Sequence, residues 1–378
     1  MDSTKSDSMW ACQTVPTGLH QDGKEEEAIE SRTASCSPPP SLLSEDSAFP
    51  ISPRGWAFGS PLHGFFESGD IQRWCPARFQ KLRTLQEAPR NQGRVDCMVD
   101  GFTVARVAVK SMPNEWVREC HESFVRTYPN ETERPWMDIG CTAFLTSIEY
   151  PYVCPLLGVY RDEAMTRVVA DLATEGDLFD WAARKGTGAV GLGHEALVLP
   201  IARQIVDAVR LLHDHSIVHW DISLENVLLS RGRAGLRIQL CDFGMASAER
   251  FIKGDGRGKP SYKAPEVSSG AICDGFACDA FSVGVVLHGL MLQQMPWAST
   301  ELGRCKVFEF FRQHGFDALT RRRKSLGQGV PLCECMSPVG LQVLKGLLSV
   351  SPNDRFTLGE CADFAGIDRR SVWQETWL

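Results

Sequence analysis

One stretch of the chain constrains its fold more than any other: His-Trp-Asp-Ile-Ser-Leu-Glu-Asn-Val-Leu-Leu at residues 219–229. It places a carboxylate, Asp221, and an amide, Asn226, directly before an apolar run. Three further motifs keep a fixed order around it. Val-Ala-Val-Lys at 107–110 lies upstream, while Asp-Phe-Gly at 242–244 and Ala-Pro-Glu at 264–266 lie downstream. One such motif arises by chance, whereas four in this order indicate a single architecture.

In this order the motifs resemble those of the eukaryotic protein kinases, in a divergent Ser/Thr-type form. The resemblance implies an α+β, two-lobed fold with a small β-rich N-lobe and a larger helical C-lobe. The kinase domain is expected at residues 76–366, with the N-lobe ending at about residue 170 and the C-lobe beginning at about residue 174. Residues 367–378 are expected to be a short C-terminal extension.

Other parts of the sequence predict the elements around the motifs. Residues 107–110 alternate like a strand, and the apolar runs at 227–229 and 238–240 are expected to be strands beside a metal site. Apolar residues at 201, 205, 209 and 212 recur at helical spacing and predict the core face of a helix. The resemblance implies two scaffold contacts: Asp279 holds the backbone of the loop at 219–229, and Arg355 pairs with Glu266.

Composition favours a soluble protein with one large domain. The apolar fraction of 43% is enough to fill such a core, and the net charge of -7 gives no sign of nucleic-acid or membrane attraction. The 14 cysteines are scattered and are expected to be reduced thiols, which favours a cytoplasmic or nuclear location. The most apolar helical stretch, residues 281–292, is too short to span a membrane.

Residues 1–75 are expected to form a disordered tail that precedes the domain. The segment up to about residue 54 is rich in Ser, Pro, Glu and Asp and has no sustained apolar period. Such a composition buries too little surface to offset the entropy of ordering the chain. Ser37, Ser52 and Ser60 each precede a proline. They are either phosphorylation sites or ordinary linker residues.

The resemblance assigns catalytic roles to four polar residues, with ATP and Mg²⁺ as cofactors. Asp221 orients the substrate hydroxyl and finally accepts its proton, and Lys110 reaches the α and β phosphates. Asn226 and Asp242 are the metal ligands, because a hard cation prefers oxygen donors.

The nucleotide pocket implied by the resemblance combines residues of both lobes. Val95 and Leu228 are expected to sandwich the adenine, the backbone of Asp171 and Ala173 to hydrogen-bond it, and Asp177 to contact the ribose. The complete set is Val95, Ala108, Lys110, Ala170, Asp171, Ala173, Asp177, Leu228 and Asp242.

Two further assignments concern the back of this pocket. The gatekeeper position falls on Ala170, a small residue that leaves space open behind the adenine. The acid that pairs with Lys110 is either Asp138 or Glu133, and a solvated surface acid is a third interpretation of both. Aspartate is one methylene shorter than the usual glutamate, so Asp138 requires its helix to lie closer to Lys110.

The glycine-rich loop departs most from the kinase pattern. Its backbone amides normally cover the phosphates, and glycine allows their close approach. Here the stretch at 85–95 matches only at Gly93 and Val95, lacks the first two glycines and is longer by about two residues. Tight phosphate clamping by this loop is therefore in question.

Three departures surround the catalytic aspartate. Trp220 replaces the arginine that binds a phosphorylated activation loop in many kinases, so the usual receptor for that phosphate is missing. Ser223 replaces a lysine beside the transferred phosphate, and Lys259 stands where a threonine is usual. We hypothesise that Lys259 supplies the missing charge near the γ phosphate. The alternative is an ordinary surface lysine.

The favoured function is a protein kinase that phosphorylates Ser or Thr residues of protein substrates, with no nucleic-acid partner and no evident calcium or calmodulin module. Pro-Ser-Tyr-Lys before Ala-Pro-Glu resembles the Ser/Thr type. The alternative is a pseudokinase that acts as a scaffold or allosteric partner. A small-molecule kinase with the same fold is a third possibility, which the Ala-Pro-Glu segment disfavours.

Overall fold

The chain folds into a β-rich N-lobe and a helical C-lobe, so the α+β, two-lobed prediction is confirmed. The predicted Ser-Pro sites and the predicted domain end at residue 366 fall outside the described part of the chain. The computed structural model describes residues 61–88, 92–185, 190–233, 235–361 and 369–377.

A six-stranded sheet forms the framework of the N-lobe. Its strands are β1 (Gln72–Arg73), β2 (Phe79–Ala88), β3 (Gly93–Asp100), β4 (Arg106–Pro113), β5 (Leu156–Arg161) and β6 (Met165–Asp171). Their order across the sheet is β1-β5-β6-β4-β3-β2, and all neighbours are antiparallel except β1 and β5. In β4, Val107 and Val109 are buried, while Ala108 and Lys110 lie on the other face. The strand predicted from this alternation is confirmed.

Three helices follow β4: α1 (Asn114–Val117), α2 (His121–Thr127) and α3 (Pro135–Ser147). Helix α3 begins with a proline at its first position, where the missing N–H costs no helical hydrogen bond. Trp136 and Ile139 of α3 pack with Leu156 of β5 in one buried cluster. This packing holds Asp138, in the first turn of α3, close to the sheet.

The predicted tail extends too far toward the domain, because residues 61–75 pack onto the N-lobe. Leu62 and Phe66 are buried, and the short 3-10 turn at Leu62–Phe65 lies against α3. Gly140 of α3 allows this contact, since a Cβ there would collide with the backbone of the turn. Large apolar residues at positions 62, 65, 66, 71 and 74 were an available signal, but which of them are buried depends on tertiary packing.

The C-lobe combines helices with two small sheets. Its elements are β7 (Gly176–Asp177), α4 (Leu178–Lys185), α5 (Leu192–Asp214), β8 (Val227–Gly232), β9 (Gly235–Leu240), β10 (Phe251–Lys253), β11 (Ile272–Asp274), α6 (Gly275–Leu292), α7 (Lys306–Arg322) and α8 (Pro338–Leu347). Strands β7, β8 and β9 form one sheet, and β10 pairs with β11 in an antiparallel ribbon. Strands β8 and β9 contain the two apolar runs that were predicted to be strands beside the metal site.

Helix α6 lies at the centre of the C-lobe, and all of its residues are buried. The apolar stretch expected at residues 281–292 belongs to a helix that begins six residues earlier, so it is not too short to span a membrane. Among the described residues α6 alone is long and apolar enough to cross a membrane, and its complete burial explains that apolar character. Helix α5 packs against it. Ile201, Ile205, Val209 and Leu212, which the sequence predicts as one core face of α5, are buried. The two helices together support the loop that follows α5.

Candidate active site

The loop after α5 is held from below by Asp279 of α6. Its carboxylate accepts the backbone N–H of His219 at 2.7 Å and that of Trp220 at 2.9 Å. Trp220 has a left-handed backbone with φ of 65°, which is uncommon outside glycine. A second scaffold contact joins Arg355 to Glu266 at 2.6 Å. Both contacts were predicted and both are confirmed.

Asp221 and Asn226 are joined within this loop. The Nδ2 of Asn226 donates to the backbone carbonyl and to the carboxylate of Asp221, at 2.8 Å each. The backbone N–H of Lys259 donates to the same carboxylate at 3.2 Å. Burial raises the pKa of Asp221, and the charge of Lys259 offsets this only in part. Asp221 is therefore fixed in position and more basic than an exposed aspartate, which suits a proton acceptor.

Lys110 lies between two carboxylates. Its Nζ is 2.7 Å from Asp138 Oδ2 and 3.4 Å from Asp242 Oδ1. Burial opposes the charge on Lys110, but the attraction of Asp138, Asp242 and Glu133 outweighs it and raises the pKa well above the usual value. Of the two acids left open by the sequence, Asp138 makes the ion pair and Glu133 adds its charge to the surroundings.

The Asp-Phe-Gly motif is attached directly to α3. Asp138 accepts the backbone N–H of Phe243 at 2.9 Å, and the carbonyl of Gly244 accepts the N–H of the residue that caps α3. Asp242 has a left-handed backbone, and its side chain is turned toward Lys110. The charge of Lys110 lowers the pKa of Asp242 despite its burial. An ionised carboxylate is thus held where a metal ligand is expected.

Lys259 reaches the catalytic loop from the following segment. Its Nζ is 2.6 Å from Ser223 Oγ, 3.5 Å from Asp221 Oδ2 and 3.8 Å from Glu225 Oε2. The side chain is 37% exposed. The Lys259 cation therefore lies beside Asp221 and next to Ser223, the position at which the kinase pattern has a lysine.

The residues predicted to hold the nucleotide lie on neighbouring strands. Val95 is opposite Lys110 across β3 and β4, Ala108 is opposite Ala170 across β4 and β6, and both pairs share one face of the N-lobe sheet. In the C-lobe sheet the strands β7 and β8 align their predicted pocket residues in the same way, with Asp177 opposite Leu228.

The segment between the lobes contains the residues expected at the adenine and ribose. Asp171 ends β6, and its amide donates to Pro155, so the group that it can offer adenine is its carbonyl. Ala173 follows in the connection to β7. Asp177 is half-buried, and burial raises the pKa of its carboxyl.

The β2–β3 hairpin accommodates the extra residues of the glycine-poor stretch. Register shifts in β2 leave Leu82 and Leu85 unpaired, so two residues enter the strand as bulges. Residues 89–91, at the tip of the hairpin, are outside the described residues. Beneath the hairpin, the fully buried Asp96 lies 2.8 Å from Lys81 and 2.9 Å from Arg94. The lengthening predicted for the loop thus falls at least partly within β2.

Three charged residues that support this site were not assigned from the sequence: Asp96, His213 and Arg257. Asp96 and His213 lie inside apolar patterns, on β3 and on α5. A charge on the buried face of such a pattern was the available signal, because it requires a partner elsewhere in the fold. Arg257 is part of a short polar run that gives no comparable signal.

A family model described as the protein kinase domain matches residues 92–365, which is most of the chain. The chain therefore belongs to the protein kinase domain family.

Curated relatives carry the Ser/Thr kinase name. CBL-interacting serine/threonine-protein kinase 17 of Arabidopsis thaliana is 27% identical over 230 residues, which are 60% of this chain and 48% of that protein. Probable serine/threonine-protein kinase HSL1 of Saccharomyces cerevisiae is 27% identical over 252 residues, 64% of this chain and 16% of that protein. A Dictyostelium discoideum protein named as a serine/threonine-protein kinase is 32% identical over 159 residues, 42% of this chain and 18% of that protein. The matched region spans less than half of each relative.

Proposed function

We propose that this protein is an active Ser/Thr protein kinase, which transfers the γ phosphate of Mg-ATP to a hydroxyl of a protein substrate. One observation carries the proposal: Lys110 is paired with Asp138 at 2.7 Å while Asp242 lies 3.4 Å from the same Nζ. In protein kinases the Lys-to-helix ion pair and the Asp-Phe-Gly aspartate must both be in place for transfer. This chain holds both, with the loop of Asp221 anchored below them.

The donor set fits a magnesium ion. Asp242 is ionised, and Asn226 directs its Nδ2 toward Asp221, which leaves the amide oxygen as the group that a hard cation can use. A bound Mg²⁺ neutralises charge on the phosphates during transfer. Lys110 is charged and is directed at the same region, so it would hold the phosphates in register with Asp221.

Asp221 would orient the substrate hydroxyl and take its proton. The hydrogen bonds from Asn226 and from the Lys259 amide fix the carboxylate without neutralising it. Such positioning is the main contribution of the protein in phosphoryl transfer, since little covalent chemistry involves its own side chains.

Lys259 would replace the cation that Ser223 lacks. Its Nζ lies 2.6 Å from Ser223 Oγ, so the charge stands where a lysine at position 223 would deliver one. Negative charge increases on the transferred group and its leaving oxygen in the transition state, and a fixed nearby cation stabilises it. We expect Lys259→Ala to lower kcat by about tenfold, and Ser223→Lys to restore activity in that variant. Equal rates for Lys259→Ala and wild type would contradict this role.

A Ser/Thr-bearing protein is the proposed substrate class. The peptide-binding segment before Ala-Pro-Glu is fastened to the C-lobe: Trp297 donates to the Ser261 carbonyl at 3.1 Å, and Thr300 donates to the carbonyls of Pro260 and Lys263 at 3.1 and 2.8 Å. An ordered segment of this kind supports docking of an extended peptide. The names of the relatives favour Ser/Thr acceptors.

A scaffold without transfer is the second candidate. It is favoured by the β2–β3 hairpin, which lacks two of the expected glycines and carries bulges in β2. A small-molecule kinase is the third, and an ordered peptide-binding segment disfavours it.

The test is incorporation of labelled γ phosphate into the protein itself and into a generic basic protein with Mg-ATP. Wild type is compared with Asp221→Asn, Asp242→Asn and the surface control Asp317→Asn, whose carboxylate pairs with Lys345 on the C-lobe exterior. Label in wild type and in the control that is absent from both site variants supports the kinase. No label in wild type, with ATP still raising the melting temperature, supports a nucleotide-binding scaffold. Label on a small molecule but on neither protein supports the third candidate.

A further inference from the structure

The activation segment, defined here as residues 242–266, is held together by one arginine. The Arg257 guanidinium donates to both carboxylate oxygens of Asp255, through Nε at 2.9 Å and Nη2 at 2.6 Å. It also donates to the carbonyl of Met245 at 3.1 Å. Its guanidinium lies over the ring of Trp220, 5.5 Å from the centroid, and its side chain is only 13% exposed. One side chain thus connects the beginning of the segment, its middle and the catalytic loop.

The chain turns at residues 256–258, and further contacts fix this turn. Lys263 donates to the carbonyl of Gly256 at 3.4 Å and is paired with Glu301 at 2.8 Å. Gly256 and Gly258 both have positive φ, which lets the chain reverse on either side of Arg257. A Cβ at Gly258 would meet the carbonyl of Trp220, so the turn lies directly on the catalytic loop.

The turn also places charged residues near the start of α3. Arg134, which caps α3, is half-buried, and burial lowers its pKa together with the charge of Arg257, while Asp255 acts in the opposite direction. The charge of Asp255 therefore offsets part of the repulsion between the two arginines. The backbone N–H of Arg134 donates to Gly244 at 2.9 Å, so α3 and the activation segment meet at this cluster.

The stretch that contains the turn has no residue for phosphorylation. From residue 248 to residue 260 the sequence is Ala-Glu-Arg-Phe-Ile-Lys-Gly-Asp-Gly-Arg-Gly-Lys-Pro, without Ser, Thr or Tyr. In many kinases a phosphate added in this region orders the segment through new arginine contacts. Here the anion available to arginine is a carboxylate of the chain itself.

We infer that Asp255 and Arg257 are positioning residues that order the activation segment without phosphorylation. The inference rests on the proposed kinase function for its effect on rate. Lys259 follows the turn after one residue, and its backbone N–H bonds to Asp221. By fixing the turn, the Asp255–Arg257 pair fixes the cation and the hydrogen bond beside the catalytic aspartate. The Trp220 ring occupies the position of the missing phosphate-binding arginine and packs against the guanidinium of Arg257.

The test uses full-length protein produced together with a phosphatase and shown by intact mass to carry no phosphate. Phosphate-free wild type is expected to phosphorylate a protein substrate at the same initial rate as wild type produced without the phosphatase. Asp255→Asn, which keeps the shape but removes the charge, is expected to lower kcat about tenfold, with the KM for ATP and the Tm unchanged. Asp255→Glu restores the carboxylate and is expected to recover most of the rate. The control Asp317→Asn loses an exposed ion pair elsewhere and is expected to match wild type.

A rate that falls on removal of phosphate from wild type overturns the inference, as does an Asp255→Asn rate equal to that of the control. Limited trypsin digestion separates this outcome from a failure of the kinase proposal. Phosphate-free wild type is expected to resist cleavage after Lys253 and Arg257, and Asp255→Asn to be cut about tenfold faster. If no variant transfers phosphate but this difference in cleavage is found, the kinase proposal fails and the ordering role stands. If wild type and Asp255→Asn are cut equally fast, the ordering role is wrong whatever the activity.

Discussion

Two buried charges of opposite sign support the two sides of the site, and their surroundings differ. Beneath the β2–β3 hairpin, the anion Asp96 is fully buried, but its partners Lys81 and Arg94 have side chains that are 41% and 52% exposed. Beneath the catalytic loop, His213 is fully buried between Asp279 and Glu360, whose side chains are each 1% exposed. The hairpin is thus held by solvated cations, and the catalytic loop by an enclosed ion cluster.

This difference separates a soft support from a rigid one. Exposed long side chains lose conformational freedom when they pair, and salt screens their charges. An enclosed cluster is screened little, and breaking it leaves charges buried without partners. Asp279 also holds the backbone of His219 and Trp220, so the rigid cluster is connected to the catalytic loop itself. We expect the β2–β3 hairpin to move while the catalytic loop stays fixed.

The largest expected effect is that of His213→Ala. It removes the cation between Asp279 and Glu360, and we expect a loss of about 4 kcal/mol in the free energy of unfolding, because two carboxylates remain buried together. Urea unfolding followed by circular dichroism measures it. His215→Ala, two residues further on and exposed, is the matched control, with an expected change within about 0.5 kcal/mol. Equal effects of the two substitutions would remove the contrast between rigid and soft supports.

An alkaline loss of stability should have the same origin. Burial alone would lower the pKa of His213, but the hydrogen bonds to Asp279 and Glu360 outweigh it and raise the pKa to about 9. The folded pKa is therefore above the unfolded value of about 6.5. The stabilisation is complete below that value and disappears as the pH rises through about 9, a decline of up to about 3 kcal/mol. Unfolding between pH 6 and pH 10 measures it, and a decline that persists in His213→Ala would assign it to another group.

Asp96 should contribute less to the free energy of unfolding than His213 does. We expect Asp96→Asn to reduce the free energy of unfolding by about 2 kcal/mol, since the charged hydrogen bonds from Lys81 and Arg94 become neutral ones. In a working kinase the KM for ATP should rise several-fold while kcat changes little. Glu87→Gln, an exposed acid on the same hairpin, is the control. A lower kcat with unchanged KM in Asp96→Asn would show that the hairpin supports transfer rather than nucleotide binding.

Strong acid should weaken the contribution of Asp96 to the hairpin. Burial opposes ionisation of Asp96, but the hydrogen bonds from Lys81, Thr84 and Arg94 outweigh it and lower its pKa. Its stabilisation is therefore complete above the unfolded pKa of about 4 and is lost as the pH falls through the lower folded value. Acid unfolding of Asp96→Asn should lack this part of the decline. An identical acid profile for wild type and variant would contradict the assignment.

The smallest expected effect is that of salt. In 1 M NaCl the amides of β2 and β3 should exchange with solvent a few-fold faster, because the partners of Asp96 are screened. The amide of His219, which bonds to Asp279, should exchange at an unchanged rate. Hydrogen exchange at matched pH measures both regions in one sample. Parallel acceleration in the two regions would mean that their supports do not differ in kind.

The sequence predicted most of the fold and named the candidate residues of the site, because both are encoded in short motifs with local causes. The alternation of residues 107–110 predicted a strand, and the apolar face of α5 predicted a core helix. The fold around the motifs then determined where each polar residue lies. The motifs alone named Lys110, Asp221, Asn226 and Asp242 as candidate site residues. The fold brings Lys110 to Asp242 and Asn226 to Asp221.

The remaining features depended on contacts between distant segments. The choice between Asp138 and Glu133 depends on how close α3 lies to β4, which no local pattern encodes. The supporting roles of Asp96 and His213 were missed because each depends on partners from other elements of the fold. Residues 61–75 were placed in the tail because the burial of Leu62 and Phe66 depends on α3, which is far away in sequence.

The bulges in β2 also affect how separate molecules meet. Strand β2 is at the open edge of the six-stranded sheet, and a long regular edge offers unpaired backbone groups to a strand of another molecule. The irregular register at Leu82 and Leu85 interrupts that template, and Lys81 and Arg83 add charge beside it. The two bulges in β2 thereby protect the protein from edge-to-edge aggregation. Removing both bulges to restore a regular hairpin would make the protein more prone to aggregate.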